Sequence, residues 1–366
     1  MKKIKVLVVD DSAFMRKMIS DFLSQDSRIE VVGTARNGKD ALIKMIEFYP
    51  DVITLDVEMP IMSGLEALKK IMSENPLPVV MLSSTTKEGA ENTVLSMQYG
   101  AVDFIAKPSG AISLDLYKVK NEIISKVIFA SQANLKGLKN FHQEIEIPIS
   151  KQQLNVKNTT TLNLHKQTTN NTQKKIICIG TSTGGPRALQ EVLTKLPKNI
   201  NAPILIVQHM PPGFTKSLAS RLDSLSEIHV KEAEDGEIIQ RGTAYIAPGG
   251  YHLKVKKIGF AFAIKIDHSP IRNGHRPSVD VLFKSVSEMN QYKKLAVIMT
   301  GMGTDGAEGL KALKQSGELT AIAESKETSI IFGMPKAAID TNVVDEIVNL
   351  NTIAETIVKY SEEQGV

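Results

Sequence analysis

Over the first 125 residues, short apolar runs alternate with stretches in which apolar residues recur every three or four positions. The runs are KVLVV (5–9), IEVVGTA (29–35), DVITL (51–55), PVVML (78–82) and AVDFIA (101–106). Rich in Val and Ile and closed by Asp, Gly, Ser or Lys, they predict strands buried on both faces, which need no polar alternation. Between them AFMRKMISDFL, KDALIKMIEFY and GLEALKKIMSE carry helical spacing. Strand and helix alternating in this way predict an α/β fold, a flavodoxin-like (βα)5 unit over residues 1–125.

The pattern then dissolves. Residues 151–175 hold fifteen Asn, Gln or Thr, five Lys, no acid and four aliphatic side chains, too little apolar surface to offset ordering entropy. Residues 126–174 therefore read as a helix end followed by a flexible linker. As a random coil, 25 residues would span about 25–30 Å, joining two units without fixing their geometry. From 175 to 366 the alternation resumes with KIICIG, APILIVQ, TAYIAPG, FAFAIKI, LAVIMT and LTAIAE, interleaved with the helical patterns PRALQEVLTKL, VDVLFKSVSEM and GAEGLKALKQS. A second α/β domain is predicted.

Composition narrows the picture. Apolar residues make up 42% and charged residues 23%, and the net charge of +4 is too dilute over 366 residues to mark a nucleic-acid or polybasic membrane footprint. A single cysteine, Cys178, excludes a disulfide framework and a thiolate zinc cluster. The N-terminus lacks the apolar core of a signal peptide and no run is long enough to insert in a membrane, so a cytoplasmic location is expected.

Asp10 and Asp11 end the first strand and Asp56 the third, and in a 2-1-3-4-5 strand order those ends are neighbours. Acids at strand ends are often no more than solvated turn residues. Three carboxylates converging on one edge, however, repel one another and call for a hard cation, most simply Mg²⁺. Ser83 after the fourth strand and Lys107 after the fifth would complete a site for a transferred phosphoryl group, with Asp56 the nucleophile. This constellation, DD, D, S and KP in order, resembles the receiver domain of response regulators. The resemblance implies Asp56 as phospho-acceptor, Asp10 and Asp11 as further Mg²⁺ holders, and Ser83 and Lys107 as sensors; Phe104 falls at the aromatic switch position or is plain core.

In the second domain GTSTGG (180–185) follows a strand and precedes a helix opening at Pro186. A hydroxyl at such a turn meets free N–H groups and the positive helix end, which makes Ser182 a candidate nucleophile; alone, the motif is equally a phosphate-binding turn. Among seven histidines, His209 follows APILIVQ and is stiffened by the prolines behind it, and His252 also follows a strand-like segment; His229, His268 and His275 lack such a setting. Asp305, in TGMGTDGAEG, could simply cap a helix. Yet Ser182, His209 and Asp305 all lie just beyond strand carboxyl ends, where parallel sheets bind ligands, and together they could perform acyl transfer.

With VQHMPPGF, YIAPGGYHL, RPSVDVLF and IIFGMPKAAI added, the whole chain resembles the chemotaxis protein-glutamate methylesterase/glutaminase family. The resemblance implies a three-layer α/β/α second domain with a mainly parallel sheet, Ser182, His209 and Asp305 as catalytic residues, Thr183 beside the nucleophile and the Met302 N–H as oxyanion donor. It also implies a chemotaxis histidine kinase and methyl-accepting receptors as partners, and no cofactor for hydrolysis. The competing expectation is a response regulator whose second domain only binds DNA, protein or nucleotide. GTSTGG does not match GxGxxG, and no helix-turn-helix is recognisable there.

Overall fold

The computed structural model describes residues 2–107, 114–135 and 174–362, with the backbone alone for 114–118. Strands β1 (Ile4–Val9), β2 (Ile29–Ala35), β3 (Val52–Asp56), β4 (Val79–Ser83) and β5 (Asp103–Ala106) form one parallel sheet in the order β2-β1-β3-β4-β5. Helices α1 (Ala13–Leu23), α2 (Gly38–Phe48), α3 (Gly64–Glu74), α4 (Lys87–Gln98) and α5 (Leu114–Ala130) cover its faces. The period of two explains the double layer: Val6 and Val8 of β1 pack with Ile19, Leu23 and Val127, whereas Leu7 and Val9 pack with Ala41, Ala67 and Leu68. Ser12, Asn37, Ser63 and Thr86 start α1 to α4 by accepting first-turn N–H groups.

The second domain runs β6 (Lys174–Thr181), α6 (Gly185–Leu193), β7 (Ile204–Gln208), α7 (Phe214–Leu225), β8 (His229–Glu232), β9 (Thr243–Ile246), β10 (His252–Ile258), β11 (Ala261–Asp267), α8 (Val279–Ser287), β12 (Tyr292–Ile298), α9 (Ala307–Gln315), β13 (Leu319–Glu324), α10 (Met334–Ile339), β14 (Glu346–Val348) and α11 (Leu350–Glu362). Seven strands make a parallel sheet ordered β14-β13-β12-β6-β7-β9-β8. Ile177 and Ile179 of β6 face one apolar layer, Ile176 and Cys178 the other, so this is the three-layer arrangement. The winding reverses at β6, which puts a crevice at the carboxyl ends of β6, β7 and β12.

Three strands, β8, β10 and β14, had no counterpart among the apolar runs. β8 and β14 are edge strands of four and three residues, too short to show a period. FAFAIKI is not in the parallel sheet; it supplies β11 of a separate antiparallel hairpin with β10, whose exposed Lys256 and Lys257 interrupt the apolar pattern.

Nearly all of the predicted 151–175 tether lies outside the described residues; Lys174 and Lys175 already belong to β6. The two domains touch directly. Phe104 of β5 packs on Phe214 of α7 with ring centroids 4.7 Å apart, an aromatic pair contributing about 0.5–1.5 kcal/mol beyond its buried area. Arg221 donates to Gln98 Oε1 at 3.1 Å. Beyond α5, the Asn134 N–H donates to the Ile330 carbonyl at 3.1 Å and its side-chain amide to the Glu327 carbonyl at 2.8 Å. One apolar cluster runs through from Val94 and Met97 to Leu189 and Leu218.

Candidate active site

In the first domain Asp10, Asp11 and Asp56 each offer an oxygen within 4.8 Å of the others'. A cavity of about 460 Å³ lined by Asp11, Val57, Glu58, Met59 and Asn92 opens beside them. The Lys107 ammonium lies 2.8 Å from both Asp10 and Asp56. Burial pushes the Asp56 pKa up to about 6, with Lys107 pulling against it. Burial also works against the Lys107 ammonium, but the two carboxylates win and hold its pKa above the ordinary lysine value. All-carboxylate oxygen donors of this spacing suit Mg²⁺. The Ser83 hydroxyl is turned away, donating to the Gly89 carbonyl at 3.0 Å and accepting from Thr93 at 2.6 Å. Phe104 is buried, and its ring packs against Phe214 of the second domain.

The second site starts from strand register. Thr181 of β6 pairs with Gln208 of β7, so Ser182 and His209 leave the sheet side by side, with backbones about 5 Å apart. The turn at Ser182 depends on two glycines for internal reasons. Gly184 has φ +78°, and a Cβ on Gly185 would stand 1.9 Å from Gln208 Oε1; the backbone approach that these glycines permit is to the neighbouring strand. Gln208 in turn donates to the Ser182 carbonyl at 2.9 Å.

His209 Nε2 lies 2.9 Å from Asp305 Oδ2, a contact in which Nε2 donates to the carboxylate and Nδ1 is the ring nitrogen left to face away from it. His209 Nδ1 is buried with no hydrogen-bond partner among the described residues, and the Ser182 hydroxyl makes no hydrogen bond there either. The His–Asp link is therefore closed and the Ser–His link open.

Asp305 does not cap its own helix, whose N-cap is Gly306 with no side-chain bond. It caps α8 instead, accepting from the Val279 N–H at 2.7 Å, the Asp280 N–H at 3.2 Å and the Ser278 hydroxyl at 2.8 Å, and Asn273 donates at 2.9 Å. Asp280 reciprocates, accepting from Gly306 and Gly309 at the start of α9. Burial opposes ionisation of Asp305, but His209 and these donors hold its carboxyl well below the usual carboxylate range.

His275, which lacked any strand-end setting in the sequence, stacks on His209 with centroids 3.8 Å apart and planes 7° from parallel. Burial and the neighbouring imidazole push its pKa down to about 4, so it packs as a neutral ring. Its position comes from the loop before α8 folding back, which no periodicity announces. His252 is buried elsewhere, its Nε2 3.0 Å from the Pro270 carbonyl. The N–H groups of Thr183 and Met302 make no hydrogen bond among the described residues, as an oxyanion site requires. The Thr183 hydroxyl is taken: it donates to Asp103 of the first domain.

Comparison with known proteins is consistent across the chain. A family model described as CheB methylesterase matches residues 177–357, and one described as response regulator receiver domain matches 6–116. A protein-glutamate methylesterase/protein-glutamine glutaminase from Geobacillus kaustophilus is 59% identical over 99% of this chain and 100% of its own. The chain belongs to that family. Another methylesterase/glutaminase, from Pyrococcus abyssi, is 45% identical over 99% of this chain and 94% of its own. The solved Thermotoga maritima CheB methylesterase catalytic domain is 48% identical, covering 51% of this chain and 98% of that one, with a TM-score of 0.49. Among the described residues, no helix of this methylesterase/glutaminase is long and apolar enough to cross a membrane.

Proposed function

We propose that this chain is a phosphorylation-activated serine hydrolase that demethylates glutamate methyl esters, and deamidates glutamines, on chemotaxis receptors. The observation carrying this reading is the buried His209–Asp305 pair at 2.9 Å, with His209 Nδ1 left unpartnered beside the strand end that bears Ser182. Ser182 would attack the ester carbon while His209 Nδ1 takes its proton; Asp305 stabilises the imidazolium and fixes its tautomer. The Thr183 and Met302 N–H groups would hold the oxyanion. His209 then gives the proton to the departing methoxide oxygen, or to the departing amide nitrogen of a glutamine, releasing methanol or ammonia, and water deacylates the enzyme by the reverse steps.

In the first domain Asp56 is the phospho-acceptor, charged by a histidine kinase of the chemotaxis system. Asp10, Asp11 and Asp56 would hold Mg²⁺, which when bound offsets phosphoryl charge; Lys107, Ser83 and Phe104 would register the modification. The contact from Asp103 to Thr183 supports a resting state in which the first domain covers the crevice, since Ser182 is only 9% exposed. The test is methanol release from methylated receptor membranes with and without a small phosphodonor. Stimulated release by the native chain and none by Ser182→Ala is expected; full release by Ser182→Ala would refute the nucleophile assignment.

A further inference from the structure

Behind the nucleophile turn lies a polar hub that the triad does not use. Thr300, two residues past β12, has all three of its polar groups engaged. Its carbonyl accepts from the Ser182 N–H at 3.0 Å and from the Thr181 hydroxyl at 2.9 Å. Its hydroxyl donates to the Thr183 carbonyl at 2.9 Å and accepts from the Ile331 N–H at 3.0 Å. Its N–H donates to Glu324 Oε2 at 2.7 Å.

Glu324, the last residue of β13, is 0% exposed. Its other oxygen accepts from Thr328 at 3.1 Å, and Arg187 on the first turn of α6 supplies the opposing charge. A buried carboxylate is an expensive acceptor for one N–H where a backbone carbonyl or a neutral amide would serve. A short bond to this carboxyl oxygen polarises the Thr300 peptide and strengthens its carbonyl as an acceptor for Ser182.

We propose that Thr300 and Glu324 are positioning residues for the hydrolytic reaction, setting the peptide planes of Ser182 and Thr183 so that the hydroxyl meets the ester carbon while the Thr183 N–H stays free for the oxyanion. Neither residue touches substrate. Thr300 also begins the Gly301–Met302 segment, so one residue registers both sides of the oxyanion site against each other. The inference rests on Ser182 being the nucleophile.

The test uses the full-length, phosphodonor-activated protein and three readouts: kcat and KM for methanol release, the rate at which a small fluorophosphonate labels Ser182, and Tm. Thr300→Val keeps the shape and removes the hydroxyl; kcat and labelling rate are expected to fall roughly ten- to hundredfold with KM unchanged within about twofold, the scale of an ångström-sized misplacement. Thr300→Ser should recover both to within about threefold. Glu324→Ala should show the same kcat-only loss, and Glu324→Gln, which keeps an acceptor for the Thr300 N–H, should recover it. Native labelling rates in Thr300→Val or Glu324→Ala, or no recovery in their conservative partners, would overturn the proposal. Should one position not tolerate its disruptive variant, the pair at the other decides. Ser182→Ala separates the two levels: activity there defeats the hydrolase reading itself, whereas an inactive Ser182→Ala with a fully active Thr300→Val defeats only this inference.

Discussion

Asp305 has two duties, and substitutions can separate them. Asp305→Asn keeps most of the volume but cannot serve as the anionic partner of His209, so kcat is expected to fall on the order of 10³- to 10⁴-fold. Asp305→Ala also strips an acceptor from Ser278, Val279 and Asp280, and should cost a further 2–5 kcal/mol or so of stability, because buried donors are left unmet. Steady-state kinetics and denaturant unfolding on both variants check this; equal unfolding midpoints would show that the capping bonds carry no weight. Glu324 supplies a pH prediction. Burial pushes its pKa from 4.5 up to about 7, against the pull of its hydrogen bonds and Arg187. An acid with a raised folded pKa contributes most below its unfolded pKa and loses that contribution as pH rises through the folded value. Relative to Glu324→Gln, the native chain should therefore lose stability between about pH 4.5 and 7 and hold a constant difference above, up to ~3 kcal/mol. A pH-independent difference between the two proteins would contradict it.

At the level of elements, the site is a set of strand ends and helix starts tied to one another. The turn from β6 into α6 fits because residue 185 lacks a Cβ; Gly185→Ala would drive a methyl into Gln208 Oε1 and Thr181 Oγ1. An overpacking cost of about 1–3 kcal/mol is expected, together with a loss of activity, since Gln208 also holds the Ser182 carbonyl. Thermal denaturation beside the methanol assay reads both; unchanged values for each would mean the turn relaxes freely. The exchange of Asp305 and Asp280 between the starts of α8 and α9 joins two helices whose sequences are 26 residues apart at the Gly306–Asp280 bond. Read along the chain, TDGAEG looks like a local cap, since a local partner is the only one a linear pattern offers. Ser182 and His209 were legible because each follows a strong apolar run. His275 and Thr300 were not: one lies in an irregular loop and the other looks like an ordinary strand-end threonine until its partners are known.

On the scale of the whole molecule, the two domains share one apolar cluster. Phe104 and Asp103 are neighbours on β5, one packed on Phe214 and the other accepting from Thr183, so any movement of this strand end reaches both the interface and Thr183. Phe214→Ala removes one half of the aromatic contact, and a loss of roughly 1–3 kcal/mol in docking would raise the undocked fraction about five- to 150-fold. Basal methanol release without phosphodonor should rise accordingly, and the stimulation ratio should shrink. An unaltered basal rate would show that the contact does not hold the domains together.

By itself the sequence determined the fold class, the order of most strands' appearance, and which strand ends bear the candidate side chains, because buried strands and amphipathic helices write their periods locally into the chain. Tertiary structure alone decided that Asp305 caps a different helix, that His275 lies on His209, that a buried glutamate backs the Ser182 turn, and that the first domain rests on the second through Phe104. Each of these joins residues distant in the chain, and such partnerships are selected by packing and desolvation in the folded state, which leave no period in the order of amino acids.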